Sequence, residues 1–432
     1  MGTPTWPFEG LPVAWEVLFT VCLAVVVAMF LWTLLLFVRA HRAFANPPPA
    51  PPDADAFAWV FLVPALNEEV TIADSIQRLL DLPLRRRRVI AIDDDSDDRT
   101  GEILAGFDHP DLFVLTRRAP NARKGKAAGL NYAYRSLGDH TDRERTVVVI
   151  VDADGRLHAE APRYAASHFE DPKVGGVQSL VRIYNRAHLL TWLQDVEFSV
   201  YGHLFQAGRD RWGTAGMGGN GQFNRLAALD DVADEEGPWR DRLTEDQDLG
   251  LRLIAAGWEG RQELRAMVEQ QGLSRWRPLF RQRTRWSQGN LQALSLRREV
   301  LRAPVGLGPR LEQLAYLLMP FWQGVVGVGL VAAFALAITG VVPFWGAGPT
   351  WQLGFFYLLA FGGTAMGCIA ARAEGGPLGW LRGFLIAQVY TPYTWFLWPV
   401  LLRSTARQLT ERGDWAKTER EPLGAAAEPP PA

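Results

Sequence analysis

The sequence has little cysteine and almost no net charge, and each shortage excludes a class of function. Cys22 and Cys368 lie in separate apolar segments without the close spacing of metal ligands, so we expect neither a zinc site nor a disulfide. The 45 Lys and Arg residues nearly balance the 47 Asp and Glu residues, leaving a formal net charge of −2. The chain lacks the basic excess typical of nucleic-acid-binding proteins, and no nucleic-acid partner is expected. Its 432 residues predict two or three folding units.

Apolar residues are concentrated near the N-terminus and again between residues 311 and 402. The N-terminal run, 13–38, is long enough to span a membrane, since about 20 apolar residues cross a hydrocarbon core. Basic residues follow it at 39–42, and the positive-inside rule then places the next domain in the cytoplasm. We predict a transmembrane anchor at 1–44, in the plasma membrane, and a stiff proline-rich linker at 45–56.

The C-terminal apolar region, 311–402, divides into three segments. Those at 314–342 and 353–371 are long enough to span the membrane as helices. The third, 380–402, has basic residues on both flanks and two prolines that are expected to break a helix. We predict an interfacial or re-entrant element there, which leaves the tail, 403–432, in the cytoplasm.

Residues 57–300 carry most of the charged side chains and have the pattern of an α/β domain. Apolar runs alternate with helical patterns, which predicts a mostly parallel sheet. The predicted strands are 58–64, 88–92, 112–116 and 147–151. Ligands of such folds bind beyond the carboxyl ends of the strands, and acidic clusters occur at those positions in this chain.

Two segments of this domain, 187–208 and 276–288, are amphipathic and rich in aromatic residues. The second places Trp276 and Trp286 among several arginines. A basic amphipathic helix commonly lies at the level of the lipid headgroups, so we predict that both segments are interfacial. An arginine-rich surface helix of a soluble domain is the alternative for 276–288.

Carboxylates follow two of the predicted strands. Five of the six residues at 93–98 are Asp, and they repel one another unless a cation or hydrogen-bond donor relieves them. A solvated turn that caps the next helix is the alternative. Asp152 and Asp154 would point to the same side of an extended chain and would suit a divalent cation with oxygen ligands, such as Mg²⁺ or Mn²⁺.

Two further polar segments open predicted helices. Thr244 and Gln247 have the spacing of a capping box, while Asp246 between them could accept a proton from an attacking hydroxyl group. Basic residues at 123–126 open another helix, where cations oppose the helix dipole. An anionic ligand such as a diphosphate would explain those cations, and a solvated basic loop would explain them equally.

The order of these segments resembles the membrane-integrated family 2 glycosyltransferases, which include cellulose, chitin and hyaluronan synthases. The matching segments are Val63-Pro64-Ala65-Leu66-Asn67-Glu68, 93–98, 126–131, Asp152-Ala153-Asp154, Thr244-Glu245-Asp246 and Gln282-Arg283-Thr284-Arg285-Trp286. The resemblance runs from about residue 57 to residue 290 and continues into the membrane region. It implies a GT-A nucleotide-sugar-binding domain fused to transmembrane and interfacial helices, an inverting mechanism, and Mg²⁺ or Mn²⁺ as cofactor.

The resemblance also implies roles for individual residues. The donor would contact Pro64, Asn67, Glu68, Asp94, Lys126, Asp152, Gln282 and Arg285. Asp94 would read the nucleobase, usually uracil, and Asp152 and Asp154 would hold the metal. Asp246 would be the general base, with Glu245 beside it in the same loop.

Further features concern the acceptor, the closing of the site over the donor, and the kind of product. Trp286 would form the floor under an acceptor sugar. A segment near the C-terminus resembles the gating segment that closes over bound donor in these synthases, and its residues are Trp415, Lys417, Thr418 and Arg420. The stretch 218–225 is more similar to that of glucosyl-diacylglycerol synthases, and the membrane region is small.

Three functions are compatible with these features. The first is extension of a β-linked polysaccharide with hexose from a nucleotide-diphospho-sugar, and the segment 282–286 favours it. The second is addition of a sugar to a membrane lipid such as diacylglycerol, which the stretch 218–225 favours. A non-catalytic scaffold or saccharide channel is the third, and the retained Asp152, Asp154 and Asp246 argue against it. The expected partners are the donor, a saccharide or lipid acceptor, and membrane lipids, while the oligomeric state is left open.

Overall fold

The computed structural model describes residues 8, 11–45, 53–138, 141–340 and 350–410. Eight strands in these ranges form one sheet. They are β1 (Ala58–Ala65), β2 (Arg87–Asp94), β3 (Leu112–Arg117), β4 (Thr146–Ile150), β5 (Arg156–Leu157), β6 (Val174–Ile183), β7 (Gln222–Arg225) and β8 (Glu259–Gln270). All four strands predicted from the sequence are among them.

The sheet is mixed, with the strand order β3-β2-β1-β4-β7-β6-β8-β5. Strands β3, β2, β1 and β4 run parallel, and β7 runs antiparallel to both β4 and β6. Parallel pairing brings the carboxyl ends together, with Ala65 opposite Asp93 and Leu62 opposite Ile150. The polar residues after β1, β2 and β4 therefore meet at one edge of the sheet.

Sixteen α-helices lie within the described residues. They are α1 (Val13–Ala45), α2 (Ile72–Leu80), α3 (Thr100–Ala105), α4 (Lys126–Arg135), α5 (Ala161–Phe169), α6 (Leu189–Val200), α7 (Ala207–Asp210), α8 (Leu226–Val232), α9 (Glu245–Ala255), α10 (Trp276–Ala293), α11 (Arg297–Arg302), α12 (Leu307–Leu317), α13 (Met319–Ile338), α14 (Thr350–Ala370), α15 (Gly376–Phe396) and α16 (Trp398–Leu409). A π-helical segment, Tyr201–Gln206, connects α6 to α7.

Hydrophobic cores cover both faces of the sheet because successive strand residues point to opposite sides. On one face Phe61 of β1 packs in a cluster that includes Phe169 of α5. On the other face Leu62 packs in a cluster with Leu130 of α4 and the buried Trp239. Full burial of each such side chain contributes about 1.5–3 kcal/mol. Apolar contacts with helices cover both faces of the sheet, which confirms the predicted α/β class.

Within the part of the chain that the structure describes, three helical segments are long and apolar enough to cross a membrane: Val13–Arg42, Met319–Ile338 and Gln352–Ala370. They contain most of the spans predicted at 13–38, 314–342 and 353–371. The second span begins later than predicted, because α12 ends at Leu317 and Pro320 lies in the first turn of α13. A proline is well accommodated at a helix start, where its missing N–H is not needed, so α13 begins as a separate helix.

The predicted re-entrant segment folds as α15 and α16, and the expected helix break at Pro392 is wrong. α15 continues through Pro392 to Phe396 while packing along α14. The neighbouring Thr391 hydroxyl donates to the Ala387 carbonyl at 2.7 Å, and packed helices of this kind tolerate the hydrogen bond that a proline removes. Pro399 lies in the first turn of α16, as helix geometry allows. Whether this part of the chain re-enters the membrane stays a prediction.

The N-terminal helix docks on the sheet domain through its last turns. Leu36 and Ala40 of α1 are fully buried, and a side chain at Gly208 of α7 would collide with Leu36. Arg39 donates from Nε to the Gly208 carbonyl at 3.0 Å, and its guanidinium lies 3.6 Å from the Trp212 ring centroid. These contacts fix the anchor relative to the helices that follow α6.

Candidate active site

A cavity of about 730 Å³ lies at the edge where β1, β2 and β4 end. Its walls are the strand-end loops, the start of α9, and side chains from α6, α10, α12, α13, α15 and α16. Ten of the predicted site residues line it: Pro64, Glu68, Asp94, Lys126, Asp152, Glu245, Asp246, Gln282, Arg285 and Trp286. The structure therefore gathers residues from positions more than 200 apart in the sequence around one space.

Asn67 lies outside the cavity lining and holds the acidic loop in place. Its Oδ1 accepts from the Asp97 N–H at 2.8 Å, and its N–H donates to Ser96 Oγ at 3.0 Å. Asn67 adopts a φ of 55°, a left-handed conformation that Asn tolerates better than most residues. Asp98 accepts from the Thr100 N–H at 3.0 Å. Part of the acidic cluster thus shapes this loop, but α3 begins at its N-cap Arg99 without a side-chain capping bond and Asp93 is buried, so the loop is not the solvated helix cap of the alternative interpretation.

Asp94 is the carboxylate of that cluster that faces the cavity. Its Oδ1 lies 2.7 Å from Nη1 of Arg117, and the two side chains are 13% and 6% exposed. Burial raises the pKa of Asp94 above its ordinary value, while the nearby Arg117 guanidinium opposes the rise. A buried, oriented carboxylate at the end of β2 is suited to accept hydrogen bonds from a planar polar ligand such as a nucleobase.

Lys126 is the cation at the centre of the cavity. Its Nζ lies 2.7 Å from Asp152 Oδ1 and 3.6 Å from Glu245 Oε1. Burial would lower the pKa of Lys126, but these two carboxylates outweigh it and hold the pKa above the usual range. Lys126 is therefore permanently charged, whereas Lys124 is exposed on the surface. Such an enclosed ammonium group is suited to an anionic ligand.

Asp246 lies in the first turn of α9 and faces the same space. Burial, together with the neighbouring Glu245 carboxylate, raises the pKa of Asp246 to about 7, against the opposing charge of Lys126. A carboxyl group with a pKa near neutrality is the kind of group that exchanges protons at physiological pH. The capping box allowed by the sequence does not form: Thr244 makes no capping bond, and its hydroxyl lies 3.2 Å from Oε1 of Gln247.

Asp152 and Asp154 do not face the same space. Asp152 lines the cavity, whereas Asp154 is 3% exposed and its Oδ2 accepts from the Gln271 N–H at 3.0 Å. No group of three or more His, Cys, Asp or Glu side chains in the described part of the chain is arranged to hold a metal ion. Mg²⁺ in proteins is commonly held by one or two carboxylates and substrate phosphates. Asp152, with its hard oxygen atoms beside the cavity, fits that kind of site.

One face of α10 forms the opposite wall. Gln282, Arg285 and Trp286 all line the cavity, as their spacing of three and four residues on a helix predicts. The Trp286 ring is held edge to face by Phe198 of α6, with centroids 6.2 Å apart and planes at 72°. Trp286 therefore lines the cavity with a second aromatic residue against it, and its role as a floor under an acceptor sugar stays a prediction.

Several cavity residues were not predicted from the sequence. Among them are Glu197, Phe198 and Tyr201 around α6, Tyr316 of α12, and Trp398 with Leu401 of α16. The OH group of Tyr316 accepts from Nε2 of Gln247 at 3.1 Å, which ties α12 to the helix that carries Asp246. Only the aromatic content of these segments could have indicated them. The proposed gating residues Trp415, Lys417, Thr418 and Arg420 lie outside the described residues.

Sequence comparison assigns the chain to a family. A family model described as glycosyl transferase family group 2 matches residues 147–402, more than half of the chain. A second, described as glycosyl transferase family 2, matches residues 60–232. These matches cover the loops that form the cavity, and the chain belongs to the family 2 glycosyltransferases.

Two of the similar proteins have names that indicate different products. The β-monoglucosyldiacylglycerol synthase of Synechocystis sp. is 31% identical over 325 residues, covering 71% of this chain and 65% of that protein. The poly-β-1,6-N-acetyl-D-glucosamine synthase of Staphylococcus aureus is 28% identical over 261 residues, covering 60% of each protein. The chain thus spans less than two thirds of the length of either relative.

A solved structure shares the architecture over most of the chain. It is a mannosyltransferase from Pyrobaculum calidifontis in complex with GDP-mannose and Mn²⁺, with a TM-score of 0.60 and 19% identity. The similarity covers 91% of this chain and 99% of that protein. At this identity the likeness concerns the fold, and it confirms the predicted GT-A class.

Proposed function

We propose that this chain is an inverting hexosyltransferase that adds hexose from a UDP-sugar to a growing β-linked polysaccharide at the cytoplasmic face of the plasma membrane. The observation that carries the proposal is the position of Asp246. A carboxyl group with a pKa of about 7 shares one cavity with the enclosed cation Lys126 and the aromatic platform Trp286. Membership in the family and the three apolar helices support a multi-pass membrane transferase.

In this mechanism the donor occupies the strand-end half of the cavity. Asp94 accepts hydrogen bonds from the uracil ring, and Lys126 and Arg285 bind the diphosphate oxygens, for which a guanidinium fork is well shaped. Asp152, with Asp154 two residues further along the chain, would hold a Mg²⁺ or Mn²⁺ ion. The bound ion would offset negative charge on the departing diphosphate. Pro64 and Glu68 form the wall beside the nucleotide, and Gln282 adds a polar contact from α10.

The acceptor occupies the half of the cavity beneath Trp286. An acceptor hydroxyl oxygen attacks C1 of the hexose while the bond from C1 to the diphosphate oxygen breaks. Asp246 takes the hydroxyl proton. The neighbouring Glu245 carboxylate raises the proton affinity of Asp246, which makes this transfer possible. Attack from the face opposite the leaving group inverts the configuration at C1, so an α-linked donor yields a β-linked product.

A glycolipid synthase is the second candidate for a specific reason. The acceptor end of the cavity includes the apolar side chains Leu397, Val400 and Leu401, next to Gln323 of the candidate membrane helix α13. An acyl chain could use such a wall, and the name of the Synechocystis relative gives this candidate further weight. A non-catalytic scaffold or saccharide channel is the third, and the intact group of Lys126, Asp152 and Asp246 disfavours it.

A donor screen separates these functions. Purified protein in nanodiscs is incubated with a panel of UDP-hexoses and Mg²⁺ or Mn²⁺, and both released UDP and product size are measured. We expect UDP release with one donor and a product of high molecular mass that a β-glycanase digests. A product that is only extractable into organic solvent would identify the glycolipid synthase. Donor binding without UDP release, with saccharide and lipid acceptors both supplied, would indicate the scaffold.

The raised pKa of Asp246 predicts the pH dependence of the reaction. A general base acts in its ionised form, which predominates above its pKa, so the rate should rise with pH and reach half its maximum near pH 7. The measurement is kcat/KM for the donor between pH 5.5 and 8.5, with UDP affinity measured in parallel to separate binding from catalysis. A flat profile would contradict the role of Asp246.

Gly219 provides a test of the space around the base. A Cβ atom there would stand 2.8 Å from Oδ2 of Asp246 and 3.5 Å from Nζ of Lys126, and the backbone φ is +77°. We expect Gly219→Ala to lower kcat by roughly 100-fold, because small displacements of reacting groups have effects of that order. Gly138→Ala is the matched control, since Gly138 has a φ of +69° with no atom within 4 Å of an added Cβ. Equal kcat values for the two variants would show that Gly219 imposes no such constraint.

A further inference from the structure

One half-buried carboxylate connects three helices at the acceptor end of the cavity. Glu197 of α6 accepts from Arg283 of α10 through two bonds, Nε to Oε1 at 3.1 Å and Nη2 to Oε2 at 2.8 Å. The Tyr393 hydroxyl of α15 donates to Oε2 of the same carboxylate at 2.8 Å. Helices that are far apart in the sequence therefore share a single acceptor group.

Arg283 is the member that reaches the platform. Its side chain is 7% exposed, and its guanidinium carbon lies 4.2 Å from the centroid of the Trp286 ring. A cation over an aromatic face is attracted to it, and burial strengthens the attraction. Nη1 of Arg283 also donates to Oε1 of Gln282 at 2.5 Å. One guanidinium thus contacts both Gln282 and Trp286 on the cavity wall that α10 forms.

The Glu197 carboxylate fixes the Arg283 side chain more tightly than packing alone would. A paired Arg and carboxylate with two parallel hydrogen bonds has a defined relative orientation. Phe198, the residue after Glu197, contacts the Trp286 ring edge to face. The position of α6 therefore determines two of the contacts that hold the ring.

Tyr393 extends this arrangement to the membrane region. α15 packs along the candidate membrane helix α14, and Trp276 of α10 packs beside Tyr393 with ring centroids 6.1 Å apart. A displacement of α15 would move a hydrogen-bond donor away from Glu197 and leave its half-buried carboxylate with one partner fewer. Such a loss is costly in an enclosed site, so the helices are expected to move together.

We propose that Glu197, Arg283 and Tyr393 are positioning residues that hold the Trp286 ring for the acceptor, so that the placement of helix α15 determines acceptor affinity. The proposal rests on the acceptor role of Trp286 in the proposed function. None of the three residues is assigned to the transfer step itself. Their removal should weaken acceptor use and leave donor binding unchanged.

The first test observes the ring directly and needs no turnover. The protein is labelled with 5-fluorotryptophan, and the Trp286 signal among the 17 tryptophans is assigned by its loss in Trp286→Phe. We expect Glu197→Gln to shift or broaden this ¹⁹F signal. Asp195→Asn is the matched control, because Asp195 lies on the same helix, pairs with Arg182 through two bonds of 2.8 Å, and does not line the cavity. The control should leave the Trp286 signal in place.

The second test uses kinetics with two acceptor probes, a soluble β-linked tetrasaccharide and dioleoylglycerol in nanodiscs. Glu197→Gln should raise the acceptor KM by roughly 10- to 100-fold with the donor KM within about twofold of wild type. Tyr393→Phe, which removes one hydrogen bond, should raise the acceptor KM by about fivefold. Glu197→Asp should recover part of the loss, since it restores the charge.

The outcomes separate this inference from the proposed function. If wild-type protein transfers hexose to neither probe, the proposed function fails, and the ¹⁹F signal still tests the contact between Arg283 and Trp286. If wild-type protein is active but Glu197→Gln leaves both the signal and the acceptor KM unchanged, the positioning role is overturned. A fall in kcat with unchanged acceptor KM would also overturn it.

Discussion

Replacement of Asp246 by Asn is expected to abolish hexose transfer while leaving donor binding nearly intact. The amide cannot accept the hydroxyl proton, and general-base catalysis contributes roughly 10²- to 10⁴-fold to such reactions. The Asn side chain has nearly the same size and removes one negative charge beside Lys126, so the nucleotide site should keep its shape. The measurement is UDP release under saturating donor, together with the UDP dissociation constant.

The control for Asp246→Asn is Asp108→Asn, an equivalent change at an exposed position in the loop before β3. Asp108→Asn should retain wild-type turnover. If Asp246→Asn released UDP at the wild-type rate, Asp246 would have no part in the mechanism. If it lost UDP binding to the same degree as turnover, the residue would act in donor binding and not as the base.

Replacement of Lys126 by Met is expected to have the second largest effect. The change removes the ammonium group that lies 2.7 Å from Asp152 and 3.6 Å from Glu245, so these two carboxylates and Asp246 would lose the positive charge between them. Negative charge raises the pKa of a neighbouring carboxyl group, which should keep Asp246 protonated at pH 7. The diphosphate also loses a preorganised cation, an effect of roughly 100-fold or more on turnover.

Two observations distinguish these consequences of Lys126→Met. The half-maximum of the pH–rate profile should move above its wild-type position, and UDP affinity should fall. Lys124→Met, two residues earlier and exposed, is the matched control and should change neither. Wild-type UDP affinity in Lys126→Met would mean that the lysine balances the carboxylates without contacting the donor.

The part of the site that lies at strand ends was predictable from the sequence. Apolar runs followed directly by Asp residues, as at 147–152, indicate both a buried strand and the edge at which it ends. Parallel pairing then brings Asp94 and Asp152 to one edge, because the ends of parallel strands lie together, and Lys126 opens the helix that follows β3. Helical spacing likewise predicted the common face of Gln282, Arg285 and Trp286.

The rest of the site depends on contacts between distant residues, which leave no local pattern in the sequence. Glu197 meets Arg283 and Tyr393 across separations of 86 and 196 residues, and neither spacing nor composition indicates such a pair. Tyr316 lines the cavity from α12, which ends at Leu317 before the candidate membrane helix α13 begins, and the continuous apolar run gave no sign of that break. The helix through Pro392 was not predicted either, because packing against α14 outweighs the local effect of a proline.

The anomeric configuration of the first product tests the account most directly. Purified protein is given the α-linked UDP-hexose that supports turnover, ¹³C-labelled at C1, and the new glycosidic bond is assigned by NMR from its coupling constants and by digestion with α- and β-specific glycosidases. A single attack assisted by Asp246 predicts a β-linked product in wild-type protein and none in Asp246→Asn. An α-linked product would contradict the inverting mechanism and with it the role given to Asp246.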